Sequence, residues 1–143
     1  FSPDDSTESA LLISAKRGIE THLVLPARND SKLVQAASKS RYGALLNAGV
    51  QIHEFEGGLL HAKTMTIDRE IALIGSANMD RRSLDLNFEI SMLVYDSDFA
   101  SELRFLQTTY MEQSTSVSVD VPSQWSLGRR LWQNGVSLIA PIL

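Results

Sequence analysis

The chain has 143 residues, 43% hydrophobic and 21% charged, enough to bury the core of one globular domain. Its net charge of −4 argues against a surface tuned to duplex DNA, so no nucleic acid is expected as a partner, and the lack of cysteine removes disulfides and thiolate metal sites. No run reaches the roughly 18 apolar residues of a membrane-spanning helix.

Phe1-Ser2-Pro3 reads like the end of a strand running into a helix cap, as in a piece excised from a longer chain. Asp4, Asp5 and Ser6 offer cap oxygens to a first helix bearing Ala10, Leu11, Leu12 and Ile13, with Gly18 as its stop. Residues 20–26 are a short apolar run closed by Pro26, which favours a buried strand. Asp30 and Ser31 then cap a second helix with Leu33, Val34, Ala37, Tyr42, Leu45 and Leu46 on its apolar face, ending at Asn47-Ala48-Gly49. A strand over 50–55 follows. His22 and His53, one in each of these two strands, read as core or surface residues rather than as chemistry. The order helix, strand, helix, strand implies a largely parallel sheet with helices packed over it.

From residue 59 the pattern changes. Residues 59–67 and 71–76, joined by Asp68-Arg69-Glu70, predict a hairpin. Alternation along its first strand puts His61, Lys63, Met65 and Ile67 on one face. An even loop would bring Ser76 and Asn78 to that face, whereas a three-residue loop would bring Gly75 and Ala77. The same alternation turns Asp68 away from His61. A third strand over 86–95 places Asn87 and Glu89 on one face, and Phe88, Ile90, Met92 and Val94 on a face expected to be core. Asp96 to Asp98 cap a further helix with Phe99, Leu103, Leu106 and Tyr110. Residues 114–123 read as a polar, Ser- and Val-rich linker. The tail, with Trp125, Arg129, Arg130, Trp132 and an apolar end, has the make-up of a membrane-interface segment. The domain expectation is therefore a unit over 1–113 followed by a linker and amphipathic tail over 114–143.

His61-x-Lys63-x4-Asp68 followed by Gly75-Ser76-x-Asn78 matches the HKD motif, and the chain thereby resembles the phospholipase D superfamily. Pro3-Asp4-Asp5-Ser6, Leu25-Pro26, Gly57-Gly58-Leu59-Leu60, Asp80-Arg81-Arg82-Ser83 and Asn87-Phe88-Glu89 are similar to the C-terminal half of the bacterial cardiolipin synthases. The resemblance implies an α/β fold, a three-layer α/β/α sandwich with a mixed, largely parallel sheet, forming one half of a two-motif enzyme. It also implies a phosphatidyltransferase that makes cardiolipin from two phosphatidylglycerols at the bacterial inner membrane, with the cytoplasmic side favoured. Alternatives are a homodimeric phospholipase D or other phosphodiesterase, and an inactive lipid-binding half that completes a partner's site.

The implied partners are phosphatidylglycerol and cardiolipin in the membrane, and the N-terminal HKD half or a second copy. Neither cofactor nor metal is implied. His61 would be the nucleophile, since neutral imidazole is available near pH 7 and forms a phosphohistidine. Lys63, Ser76 and Asn78 would hold the phosphoryl oxygens. Glu89 is the candidate carboxylate for orienting a histidine. Arg81 and Arg82 are candidates for a second phospholipid phosphate. Asp68 completes the motif with a turn-stabilising role.

Overall fold

A computed structural model describes residues 1, 3–28 and 32–118 of the chain. The first helix, α1 (Asp5–Lys16), begins where the Asp4 carboxylate accepts the Thr7 N–H at 3.1 Å. Hydrogen bonds from the Ser6 hydroxyl and from Thr7 hold the Asp4 carboxyl down to about 2. The helix ends at Gly18, whose φ of 84° suits the left-handed turn that stops it. Strand β1 (His22–Pro26), helix α2 (Lys32–Ala48) and strand β2 (Gln51–Phe55) follow, as the apolar periodicities require. Side chains 31–34 and residues 119–143 lie outside the described residues, so the caps expected at Asp30 and Ser31 and the tail expected from Trp125 onward are not part of this description.

The core of this first layer joins Leu23 and Leu25 of β1 and Ile52 of β2 to Tyr42, Leu45 and Leu46 of α2. Leu11, Leu12 and Ala15 of α1, together with Phe1 and Met79, pack against it. Alternate residues of β1 and β2 face this core, so α1 and α2 cover one side of the sheet. The crossover through α2 makes β1 and β2 parallel, with Leu23 beside Ile52.

A hairpin of β3 (Thr64–Ile67) and β4 (Ile71–Gly75) leads through a short helix, α3 (Arg81–Asp85), to β5 (Ser91–Tyr95). Helix α4 (Ser97–Glu112) starts from an Asp96 cap bonded to the Phe99 N–H at 2.9 Å. Ala100 and Leu103 bury against Ala72, and Ile74 and Val94 pack around them. Farther along α4, Gln107 bonds the hydroxyls of Thr64 and Thr66, and the Tyr110 ring meets Phe55 edge-on. One helix thus lies across strands of both sheets.

The chain is a mixed α/β protein with helices on both sides of its strands, and its parallel character is confined to one pairing. Among the described residues two three-stranded sheets form, in the orders β1-β2-β6 and β3-β4-β5, and only β1 with β2 runs parallel. The reason is connection length, because the three-residue turn at 68–70 can join only antiparallel strands.

Three local expectations are corrected. Residues 114–117, expected to open a linker, form β6 (Ser114–Val117) antiparallel to β2, with Val117 on the core. The strand expected over 86–95 begins only at Ser91, after α3 and a loop. Its supposed core face is open, since Phe88, Ile90 and Met92 are exposed, because β5 is an edge strand and only Val94 lies under α4.

Candidate active site

The motif residues gather at the open end of the β3–β4 hairpin. His61 and Lys63 precede β3 rather than lying in it, a correction to the strand expected from residue 59. Lys63 is nevertheless held in register, because its carbonyl accepts the Gly75 N–H at 3.1 Å. Its ammonium donates to the His61 carbonyl at 2.9 Å, which folds the two residues into one compact corner. His61 itself is exposed and Lys63 half-buried.

The register settles the loop question. Thr64 faces Ile74 and Ile67 faces Ile71, so the loop holds three residues and Gly75, not Ser76, stands opposite Lys63. This overturns the even-loop expectation for Ser76 and Asn78. Ser76 reaches the site by turning toward β5 instead. Its N–H donates to the Ile90 carbonyl at 2.9 Å, its hydroxyl accepts the Ile90 N–H at 3.1 Å, and that hydroxyl donates to the Glu89 carboxylate. Asn87 Nδ2 donates to the other Glu89 oxygen at 3.2 Å. These two donors, Ser76 first, hold the Glu89 carboxyl below its ordinary range, and the Lys63 charge adds to the effect.

The geometry thus assembles Lys63, Ser76, Asn87 and Glu89 as one network beside His61. Among the described residues no hydrogen bond joins Glu89 to His61. Exposed Asn78 has its Nδ2 3.5 Å from the hydroxyl of Ser83, a residue that in turn helps to hold the Glu89 carboxyl down. Buried Ser83, within α3, donates its N–H to the Asp80 carboxylate just before that helix at 2.8 Å. The side chains of Arg81 and Arg82 lie outside the described residues.

Asp68 sits at the other end of β3. With about 3.3 Å per strand residue, five residues place it about 16 Å from Lys63. It and Arg69 have φ of 54° and 60°, the left-handed region that Asp tolerates better than most residues. The turn expected there is the one found.

Two residues of this site carried no role in the sequence reading. Asn87 shares its parity with Glu89, which was the available signal for it. Gly75 is the other, because a Cβ there would overlap the Ser91 hydroxyl and the Ile90 carbonyl. Its signal was the glycine just before Ser76. Among the described residues no group of three or more His, Asp or Glu is placed to hold a metal ion.

The arrangement offers an exposed imidazole, an adjacent ammonium and a hydroxyl–carboxylate pair, the groups that phosphoryl displacement uses. A family model, the cardiolipin synthase PLD-like domain, matches residues 1–106. The chain belongs to that family. Similar proteins include cardiolipin synthase A of Klebsiella pneumoniae (strain 342), 43% identical over 133 residues, covering 93% of this chain and 26% of the relative. Cardiolipin synthase A of Edwardsiella ictaluri is 40% identical over 136 residues, 95% of this chain and 27% of the relative. That of Yersinia pseudotuberculosis is 36% identical over all 143 residues, 29% of the relative.

This PLD-like chain therefore spans little more than a quarter of the curated relatives it matches. Among solved structures, the phospholipase D family member Nuc of Salmonella typhimurium superposes with a TM-score of 0.73 at 18% identity, covering 81% of this chain and 76% of Nuc. NucT of Helicobacter pylori gives 0.68 at 20% identity, over 82% and 77%. These two share the fold of the PLD-like chain.

Proposed function

We propose that this PLD-like chain supplies one of the two histidine motifs of a cardiolipin-forming phosphatidyltransferase acting at the bacterial inner membrane, on its cytoplasmic side. The observation that carries this reading is the network of Lys63, Ser76, Asn87 and Glu89 beside exposed His61, in a chain 36–43% identical to cardiolipin synthase A from several bacteria. No helix among the described residues is long and apolar enough to cross a membrane.

In the first step a ring nitrogen of His61 attacks the phosphorus of phosphatidylglycerol, and the bond to the glycerol oxygen breaks. A histidine from the other motif protonates that oxygen, which leaves as glycerol. In the second step a hydroxyl of another phosphatidylglycerol gives its proton to the same histidine and attacks the phosphohistidine. Cardiolipin forms and His61 is released. Lys63 neutralises the non-bridging oxygens as charge builds on them, exposed Asn78 adds a hydrogen-bond donor, and Ser76, whose hydroxyl donates to Glu89, holds that carboxylate in place. Glu89 orients a histidine ring and stabilises its imidazolium. Arg81 and Arg82 hold the phosphate of the accepting lipid.

The test is product analysis of the full-length protein with phosphatidylglycerol vesicles. Cardiolipin with equimolar glycerol is the expected result, lost in His61→Ala along with the covalent phosphorus adduct. Phosphatidic acid would instead establish a hydrolase. Lipid binding without turnover would make this an inactive half.

A further inference from the structure

The least satisfied element of the fold is β5. Among the described residues it pairs with β4 on one side only. Gly75 donates toward β3, through the Lys63 carbonyl, while Ser76 donates to the Ile90 carbonyl. Alternation along an antiparallel ladder then directs the backbone groups of Ile90, Met92 and Val94 toward β4, and those of Ser91, Leu93 and Tyr95 outward. Both faces of this edge are apolar and open, with Met92 65% exposed on one and Tyr95 75% on the other. Strands hydrophobic on both faces are those that lie inside a sheet between covering layers.

We propose that the free edge of β5 receives a strand from the part of the same polypeptide that lies outside these 143 residues, and that this strand closes the wall of the site behind Glu89. Three observations select this occupant. A lipid layer would cover the apolar side chains but leave the outward N–H and C=O groups unpaired, whereas a strand pairs them. The chain spans 26–29% of curated relatives, so most of a comparable polypeptide is available to supply one. The edge is also continuous with the site, because Glu89 lies between exposed Phe88 and Ile90, and Ile90 is bonded to Ser76. Whatever covers β5 therefore meets the Ser76–Glu89 pair. The inference rests on the reading that this chain is one part of a longer enzyme.

Hydrogen exchange on the full-length protein tests it. Slow exchange at every amide of residues 91–95, retained on dilution to a concentration where light scattering shows a single copy, is the expected result. Fast exchange at Ser91, Leu93 and Tyr95 beside slow Met92 and Val94 would show a bare or merely lipid-covered edge and overturn the proposal. Protection that vanishes on dilution to single copies would assign the edge to a second copy and overturn it equally. Cardiolipin formation measured on the same sample separates the two ideas, since a protected edge without cardiolipin removes the proposed activity and leaves the docking.

Discussion

At the scale of single residues, the site depends on how few groups serve each charge. Lys63 is the motif's ammonium and also acts on Glu89, so Lys63→Ala should lower kcat of the full-length enzyme by about 10²- to 10³-fold, the usual loss of one electrostatic stabiliser. Ser76→Ala should show its effect in the pH profile. Removing the hydroxyl takes away the largest cause of the lowered Glu89 pKa, so Glu89 titrates at higher pH and the acid limb of activity moves upward with it. Asp68→Asn should leave kcat unchanged, because the position is remote from Lys63 and asks only for a residue that tolerates a positive φ. The sequence points to His61 and Lys63 through the motif spacing and to Glu89 through strand parity, and their roles belong to the proposed function. The loop parity was not legible, because one residue in a turn decides which side chains oppose each other, and Asp68-Arg69-Glu70 suits a three-residue turn only once both flanking strands are in register.

At the scale of elements, the hairpin and the β1–β2 pair each carry a testable constraint. Gly75→Ala would press a methyl group against Ser91 and Ile90 and should cost about 1–3 kcal/mol in denaturant unfolding, with loss of the Ser76 geometry. His22 and His53 stack at 5.3 Å between ring centroids and share a 3.0 Å hydrogen bond, while His22 also meets Glu20 at 2.9 Å. Burial first, then the charges of His22 and Arg104, lower the His53 pKa from 6.5. The unfolded chain therefore binds a proton that the fold resists, so stability should decline as the pH drops below about 6.5. The Glu20 carboxyl, lowered chiefly by its hydrogen bond from His22, extends the decline below 4.5. Thermal unfolding between pH 7.5 and 5 should show this slope, and His53→Phe should flatten it. Each histidine alone reads as ordinary. Their meeting needed the parallel register that puts Val24 beside His53, and no local pattern specifies that register.

At the scale of the whole molecule, one core under α1 and α2 and a second under α4 hold the hairpin in place. Leu45 is fully buried in the first, and Leu45→Ala should cost about 2–5 kcal/mol in chemical unfolding. Helices α1, α2 and α4, the hairpin and the motif running from His61 to Asn78 were determined by the sequence itself, because caps, apolar periodicity and motif spacing are local properties of the chain, whereas the short helix α3 had no such signal. The division into two sheets, the pairing of β6 with β2 and the exposed edge of β5 were decided only by tertiary structure. The physical reason is that an apolar strand reads the same whether it lies inside a sheet or at its border, and only the presence or absence of a neighbour tells them apart.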